Sequence, residues 1–357
     1  MLPRAVHDEL ARLGSHFEIK ESNDRGGNGY LFFGMNRVSN QQVAIKFYYG
    51  DPGDSQHDEP RQLAEIDNQN VLKILDAKIA GDGWAYFVTP RCAGGDLDDL
   101  VAESPSVHTA LNVALGVCAG VACMHSLGMV HRDLKPGNVV LENGIPRIAD
   151  FGSVRRLNPQ DLEVTASRHS VLYRPPESFS SGKYTVQGDI YQIGVVTYQL
   201  LGGKLSYVPE DYLSAPERAQ IKSLHAADQC AFVDKVIQRR AEKGKLLDFN
   251  SLPSWIDAAT IRMLKKLSAP TASARAKGIA DVSAGILSAR NRLPDWKLEG
   301  CVPTLLVGRR ELKIVEELRL YQIYSANGNS RRRLGSAHGS MKDAVLKCNA
   351  YLERNPN

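Results

Sequence analysis

The chain has 357 residues with 44 Lys and Arg against 40 Asp and Glu, so its formal net charge is only +4. Its content of 43% hydrophobic and 24% charged residues is that of an ordinary soluble globular protein and excludes a disordered or fibrous chain. The charge alone gives no reason to expect nucleic-acid binding, and the length exceeds one comfortable core, so we expect two lobes and an additional module.

The cysteines predict a reducing compartment. All six are scattered, without the close pairs of a disulfide or zinc framework: Cys92, Cys118, Cys123, Cys230, Cys301 and Cys348. The first nine residues lack the apolar core of a signal peptide, and no run approaches the roughly 18 apolar residues of a membrane helix. We therefore expect a cytoplasmic protein without a membrane partner.

The first elements alternate apolar and glycine-rich segments. Residues 3–13 predict a short amphipathic helix, and a strand opens at Phe17. The glycine-rich segment 24–31 follows, and glycines of this kind let backbone amides approach a phosphate closely. Considered alone, the segment is more often an ordinary hairpin turn.

Three further elements precede the middle of the chain. Residues 43–49 predict an apolar strand interrupted by Lys46, and a lone lysine on a strand usually faces solvent. A second apolar strand begins at Trp84 and leads into the turn Gly94-Gly95. Apolar residues at helical spacing over 108–127 predict a buried helix without a role in chemistry.

The centre of the chain carries the chemistry in His131-Arg132-Asp133-Leu134-Lys135-Pro136-Gly137-Asn138 and, twelve residues after Asn138, in Asp150-Phe151-Gly152. Phosphoryl transfer needs a carboxylate beside the attacking hydroxyl and oxygen ligands for Mg²⁺. Asp133 can supply the first, and Asn138 with Asp150 the second. The intervening residues 139–149 contain an Asn-Gly turn and predict a hairpin that brings the two metal ligands together.

These two motifs at this spacing resemble the catalytic loop and the Asp-Phe-Gly motif of the eukaryotic-like, or Hanks-type, serine/threonine protein kinases. The resemblance covers roughly residues 15 to 290. It implies an α+β, bilobal protein-kinase-like fold with a β-rich N-lobe and hinge over 15–92 and a helical C-lobe over 93–293. It further implies ATP and Mg²⁺ as cofactors and a protein as substrate.

The resemblance assigns roles in the nucleotide lobe. Lys46 would contact the α and β phosphates and pair with a glutamate, for which Glu59 is chosen by spacing and Glu65 stays open. Pro60 beside Glu59 requires that the helix begin close to this point. The remaining nucleotide contacts, with Thr89 as gatekeeper and Asp24 standing where the first loop glycine is expected, are Gly26, Gly27, Gly29, Leu31, Ala44, Thr89, Pro90, Cys92 and Val140.

The resemblance also identifies an activation segment that ends at Pro175-Pro176-Glu177. Ser170 stands at the hydroxyl that contacts the catalytic aspartate in this family, which together with Lys135 indicates a serine or threonine acceptor. Lys135 would also steady the transferred charge. Arg132 would pair with a phosphate on the segment, for which Thr165 and Ser167 are the candidates. Asp189 and the pair Glu177 and Arg275 would have structural roles.

Two regions lie outside the resemblance. Residues 203–256 are expected to be an insert whose helical, exposed part, 217–245, either recognises substrate or is a solvated face. Residues 294–357 predict a small α+β module with strands at 305–307 and 320–324 and a helix capped by Ser340. Its arginines at 309, 310 and 331–333 either bind nucleic acid or protect a strand edge, and the module itself is either a substrate-docking or an autoinhibitory element.

The sequence therefore predicts a serine/threonine protein kinase that is ATP-dependent and regulated through its activation segment. One alternative is a kinase-fold scaffold with little turnover, which Asp24 and Pro60 favour. The other is a small-molecule phosphotransferase of related fold, against which the Pro-Pro-Glu segment and Lys135 argue. The protein substrate, the activating signal and the oligomeric state stay open.

Overall fold

The structure is a computed structural model and describes residues 2–23, 29–50, 57–160, 162–165, 170–308, 310–327 and 330–354. The chain forms a β-rich lobe, a helical lobe and a second, smaller sheet module in that order. The predicted α+β class with two lobes and an additional module is confirmed. The loop residues Gly26 and Gly27 and the candidate phosphosite Ser167 lie outside the described residues.

The first lobe is one antiparallel sheet of five strands in the order β1-β2-β3-β5-β4. One helix precedes the sheet in sequence, and a second, short helix lies between β3 and β4. The elements are α1 (Arg4–Leu13), β1 (Phe17–Asn23), β2 (Gly29–Asn36), β3 (Gln42–Tyr49), α2 (Asp58–Ala64), β4 (Asp76–Gly81) and β5 (Trp84–Pro90).

The two faces of this sheet have different partners. Because strand side chains alternate in direction, Ile45 and Phe47 lie on one face, and both are fully buried in a cluster with Val6 of α1. Ala44 and Lys46 lie on the other face, where they are only partly buried. The sheet therefore presents Lys46 toward the second lobe while α1 covers its outer side.

The second lobe is mostly helical, with short strand pairs at the edge that faces the sheet. Its elements are α3 (Leu97–Ala102), α4 (Val107–Ser126), β6 (Met129–Val130), β7 (Val139–Glu142), β8 (Ile145–Ile148), β9 (Arg155–Arg156), β10 (Val164–Thr165), α5 (Pro176–Ser181), β11 (Lys183–Tyr184), α6 (Val186–Leu200), α7 (Ala215–Ile221), α8 (Ala226–Glu242), α9 (Ala258–Leu267) and α10 (Ile279–Arg292). Short 3₁₀ turns connect them at Pro136–Asn138, Phe151–Ser153, Val171–Tyr173, Pro209–Tyr212, Phe249–Ser251 and Ala272–Ala274.

Helix α4 is the core of this lobe and begins within one residue of its predicted start. It is the one helix in the described part of the chain that is long and apolar enough to cross a membrane by length and composition. More than half of its most apolar window is buried inside the protein, against α6 and α10 among others. Its apolar character is therefore accounted for by packing in the helical lobe.

The expectation that residues 217–245 are exposed is wrong for α8. Val233, Val236, Ile237 and Ala241 are buried in the main hydrophobic core, whereas α7 has no buried residue. The first three positions have the i, i+3, i+4 spacing of an apolar helix face, which the charged residues between them obscured. Only the opposite face of α8 is available to a partner.

The module after residue 294 is a five-stranded antiparallel meander with one helix. It consists of β12 (Trp296–Glu299), β13 (Val302–Val307), β14 (Arg310–Glu317), β15 (Leu320–Asn327), β16 (Ser330–His338) and α11 (Met341–Arg354). Ser340 Oγ accepts a hydrogen bond from the Asp343 amide, as the predicted cap requires. The sequence predicted two of the five strands.

The module is packed against the helical lobe through aromatic and polar contacts. The rings of Trp255 and Trp296 stack with centroids 5.4 Å apart and an interplanar angle of 14°. Trp296 is fully buried, and its indole N–H donates to Asn349 Oδ1 of α11 at 3.0 Å. The His108 amide at the start of α4 donates to Asp295 Oδ1 at 2.8 Å. The module and the lobe thus share one apolar core.

Candidate active site

The β7–β8 hairpin sets the geometry of the site. Asn143 and Gly144 both have positive φ, 52° and 78°, as a tight two-residue hairpin turn requires. The hairpin ends meet where the Ala149 amide donates to the Asn138 carbonyl at 2.9 Å. Asn138 and Asp150 therefore lie at the same end of the hairpin, as the sequence predicted.

Asp133 is held from two sides. Lys135 Nζ lies 2.9 Å from Asp133 Oδ2. The Asn138 amide group donates to Asp133 Oδ2 at 3.0 Å and to the Asp133 carbonyl at 2.7 Å. Because the nitrogen of Asn138 is committed to Asp133, its Oδ1 is the atom left to coordinate a cation.

Lys46 joins the two lobes electrostatically. Its Nζ lies 2.7 Å from Glu59 Oε1 and 3.4 Å from Asp150 Oδ1. Burial lowers the pKa of Lys46, but the two carboxylates more than offset that effect, so the pKa is raised. Burial likewise raises the pKa of Asp150, yet Lys46 and His131 bring it below its usual value. Both groups are therefore charged at neutral pH.

The choice between the two glutamates is settled by this geometry. Glu65 follows the last residue of α2 and forms an ion pair with Arg156. Helix α2 begins at Asp58, so Pro60 is its third residue and falls in the first turn, where no intrahelical N–H bond is lost. The proline is therefore compatible with Glu59 pointing at Lys46.

Asp150 is fixed by the packing of the residue that follows it. Its backbone is left-handed, with φ 56° and ψ 71°. Phe151 is fully buried and packs edge-to-face on the His131 ring, with centroids 5.6 Å apart. His131 in turn lies 3.1 Å, through Nε2, from the Ala149 carbonyl. A left-handed non-glycine residue costs on the order of 1 kcal/mol or more, and this packing offsets that cost.

Asp189 of α6 holds the backbone of the catalytic loop in place. This fully buried carboxylate accepts the amides of His131 and Arg132, both at 3.0 Å, the Tyr184 hydroxyl at 2.8 Å and His125 Nε2 at 2.7 Å. Burial raises the pKa of Asp189, but His125 and the other donors together lower it by more than burial raises it, so the net shift is downward. The loop backbone is thus held by an ionised side chain from α6.

The described residues that are expected to contact the nucleotide lie on β2, β3, β5 and β7 and just after β5. Leu31, Ala44, Cys92 and Val140 are partly buried, and Thr89 is buried. Ala44 is the direct cross-strand partner of Thr89. The partly buried Pro90 ends β5.

Gly29 has a steric role of its own. A Cβ atom at this position would lie 1.9 Å from the Phe47 carbonyl oxygen, so only glycine allows β2 to approach β3 here.

The side chains at the cleft suit Mg²⁺. In the described residues no three His, Cys, Asp or Glu side chains converge on a metal site. Asn138 Oδ1 and the Asp150 carboxylate are hard oxygen ligands on adjacent ends of one hairpin, and Mg²⁺ commonly takes one or two carboxylates together with substrate phosphates. The donor set therefore fits that ion without a protein cage.

Arg132 contacts the activation segment through backbone oxygens. Its Nε donates to the Ser153 carbonyl at 2.5 Å, and its Nη1 donates to the Thr165 carbonyl. Burial and then Arg155 lower its pKa to about 10. Thr165 is exposed. Arg155 is a residue that the sequence reasoning missed, because its proximity depends on the fold of the segment.

The segment ends at a buried ion pair. Arg275 Nη1 and Nη2 donate to the two Glu177 oxygens at 2.7 and 2.6 Å, and the guanidinium lies 4.9 Å from the centre of the Tyr191 ring. Ser170, for which a contact with Asp133 was expected, has φ 27°, and no hydrogen bond between the two appears among the described residues. That expected contact stays a prediction.

Sequence reasoning missed a polar cluster between the end of the segment and α3. The Tyr207 hydroxyl lies 2.6 Å from the Tyr173 hydroxyl and donates to Asp98 Oδ1 at 2.7 Å. Burial raises the pKa of Asp98, and the bond from Tyr207 limits that rise. Tyr207 belongs to the segment 203–256, so this segment contacts both the end of the activation segment and α3.

Comparison with known proteins agrees with this geometry. Residues 17–276 match the model of the protein kinase domain. Serine/threonine-protein kinase PknL of Mycobacterium tuberculosis is 28% identical over 216 residues, which cover 58% of this chain and 54% of PknL. PknA of Corynebacterium glutamicum, also named a serine/threonine-protein kinase, is 28% identical over 222 residues, covering 58% and 47%. A probable serine/threonine-protein kinase of Clostridium perfringens is 27% identical over 206 residues, covering 55% of this chain and 30% of that protein. The matched part thus spans between 30% and 54% of these relatives, and the family model ends before the module that begins at β12.

Proposed function

Since the chain belongs to the eukaryotic-like serine/threonine protein kinase family, we propose that it transfers the γ-phosphoryl group of ATP to serine or threonine hydroxyls of proteins. One observation carries the proposal. Lys46 bridges Glu59 and Asp150 at 2.7 and 3.4 Å, so the charged groups of both lobes are already assembled around the cleft. A scaffold without turnover has no need of this arrangement.

Asp133 acts on the acceptor. The hydroxyl oxygen attacks the γ-phosphorus, the bond to the β-phosphate oxygen breaks, and Asp133 orients the hydroxyl and takes its proton. Asn138 holds the carboxylate in place through its amide, and Lys135 keeps a positive charge beside it. Lys135 thereby offsets the negative charge that develops on the transferred group.

Lys46 positions the α and β phosphates, and Glu59 keeps its ammonium group pointing into the cleft. Asn138 and Asp150 would hold Mg²⁺, which would supply positive charge to neutralise the phosphates. The lowered pKa of Asp150 supports this role, because the carboxylate is ionised over the whole physiological range.

We propose that phosphorylation of the activation segment regulates the enzyme. Arg132 contacts the backbone of the exposed Thr165, and a phosphate on Thr165 would gain charge-assisted hydrogen bonds from this guanidinium. Arg155, which lies close enough to Arg132 to lower its pKa, adds positive charge to the same region. Ser167 is the second candidate. The bidentate pair of Glu177 with Arg275 supports a polypeptide as substrate over a small molecule, because it anchors the end of this segment.

The test measures transfer of radiolabelled γ-phosphate from Mg-ATP to the protein itself and to generic protein acceptors. Asp133→Asn and Lys46→Met should each abolish incorporation, whereas Lys78→Met, which changes an exposed lysine on β4, should not. Phosphopeptide mapping should find label at Thr165 or Ser167. Wild-type protein that binds ATP but labels neither itself nor any acceptor would refute the proposal.

We also propose a cytoplasmic location, which the scattered cysteines favour. Cell fractionation with an antibody against the chain tests it, and recovery from the membrane or secreted fraction would contradict it.

A further inference from the structure

A large cavity lies where the helical lobe meets the module that begins at β12. Its volume is about 720 Å³, within the range of pockets that bind small molecules. Walls come from α3, the end of α6, the segment 203–256 and β12, and none of the catalytic residues described above lines it. We call it the junction cavity, and its apolar lining includes Val101, Leu200, Leu205, Leu246, Trp255 and Leu298.

The charged residues of the cavity are predominantly cationic. Lys204, Arg240, Lys245 and Lys297 line it, against two carboxylates. Lys297 is paired with Glu299 and Glu311. The other three cations form no ion pair with any residue that the structure describes.

The acids near these three cations have other partners among the described residues. Glu217, which Arg240 influences electrostatically, is bound by Arg239 at 3.0 Å. Of the two acids in the lining, Asp211 accepts from Ser206 Oγ at 2.5 Å, and Asp248 accepts from the Asn250 amide at 3.0 Å. An anion entering the cavity would therefore meet three cations that form no ion pair among the described residues, against two lining carboxylates.

We propose that the junction cavity binds a small organic anion with an apolar body. The apolar walls bury the body of the ligand, and Lys204, Arg240 and Lys245 bind its acidic group. The volume of about 720 Å³ suits one small molecule, and the excess of cations over carboxylates favours an anion over a neutral or cationic ligand. This site is separate from the nucleotide cleft, so the inference does not depend on the proposed phosphotransfer activity.

One wall of the junction cavity is shared with a hollow next to the activation segment. Tyr207 and Tyr212 line it, and both also line a smaller hollow of about 260 Å³ next to Val171 and Leu172 of the activation segment. The Tyr207 hydroxyl bonds to Tyr173 in the same segment. A bound anion would therefore contact residues that hold the end of the activation segment.

The test uses the full chain and anilinonaphthalene sulfonate, a fluorescent anion with an apolar body. We expect saturable binding that Mg-ADP does not displace. Arg240→Glu and Lys245→Glu should each weaken binding by roughly tenfold or more, the loss expected for one charge-assisted contact. Lys243→Glu is the matched control, because Lys243 is an exposed cation at the end of α8 that does not line the cavity.

Tryptophan fluorescence locates the probe. Trp255 and Trp296 line the cavity, whereas Trp84 lies in the sheet of the other lobe. Energy transfer from tryptophan to the probe should fall in Trp255→Phe and persist in Trp84→Phe. A second variant, Val101→Trp, fills the apolar floor and should reduce binding without removing a charge.

Thermal unfolding of each variant separates loss of the site from loss of the fold, because the charge variants alter partly or fully exposed side chains and should melt with the wild type. The proposal is overturned if the probe does not bind the wild type, if Mg-ADP displaces it, or if Lys243→Glu weakens binding as much as the two cavity variants do.

Discussion

The pairing of Lys46 with Glu59 gives the sharpest prediction. Glu59→Gln keeps the shape of the side chain but removes its charge. Glu65→Gln makes the same change directly after the end of α2. The Glu59 side chain is 13% exposed and lies 2.7 Å from Lys46, whereas Glu65 is 48% exposed in its pair with Arg156. The two variants therefore differ mainly in burial and in the partner that they lose.

Burial determines the expected magnitudes. A partly buried hydrogen bond between charged groups contributes about 1.5–3 kcal/mol, which corresponds to a loss of roughly 10- to 150-fold in kcat/KM for Glu59→Gln. An exposed pair contributes about 0.2–1 kcal/mol, so Glu65→Gln should lose at most about fivefold. Steady-state phosphorylation of a peptide acceptor measures both.

The Mg²⁺ dependence gives a second readout. Without Glu59, Asp150 is the one carboxylate partner left to Lys46 among the described residues, and a closer ammonium group should weaken metal binding by that carboxylate. The Mg²⁺ concentration for half-maximal rate should therefore rise in Glu59→Gln and stay constant in Glu65→Gln. Equal losses in the two variants, or an unchanged Mg²⁺ requirement, would show that the Lys46 pairing does not organise the cleft.

The remaining predictions concern stability and are checked by urea unfolding. Asp189→Asn should lower the free energy of unfolding by about 3 kcal/mol, because one amide oxygen cannot accept all the donors that the carboxylate binds. The lowered pKa of Asp189 means that its stabilisation is present above about pH 4 and is lost as the pH falls through the folded-state pKa, so this part of the acid dependence should be missing in the variant. Arg275→Lys should cost about 2–4 kcal/mol, since lysine cannot replace the bidentate contact with Glu177, and a loss below 0.5 kcal/mol would contradict that reasoning. Trp296→Ala should lower the free energy of unfolding by about 3–5 kcal/mol. The helical lobe and the module should still unfold in one transition with a lower urea midpoint, whereas two separate transitions would mean that they do not share a core.

Local signals account for what the sequence predicted well. The hairpin of β7 and β8 was predictable from its Asn-Gly turn, and the ends of α4 and the cap of α11 were predicted to within a residue or two. The two metal-ligand candidates at the base of this hairpin lie together because that turn fixes the register.

Non-local packing accounts for what the sequence left open. The contact between Trp255 and Trp296 joins residues 41 positions apart, and neither has a neighbour in sequence that indicates the other. Likewise, Tyr207 could not be linked to Asp98 and Tyr173 before the segment 203–256 was folded against α3. The buried face of α8 was missed because charged residues separate its apolar positions.

The stacking of Trp255 on Trp296 also has a consequence for the chain while it is being synthesised. A ribosome releases the chain from its first residue onward, so the helical lobe emerges while Trp255 still lacks the ring that covers it. The apolar surface around Trp255 stays exposed until residues 296–354 have been synthesised and α11 has placed Asn349 against Trp296. We expect nascent chains that stop before β12 to be recognised by chaperones and proteases, so a kinase core would accumulate in cells only together with its module.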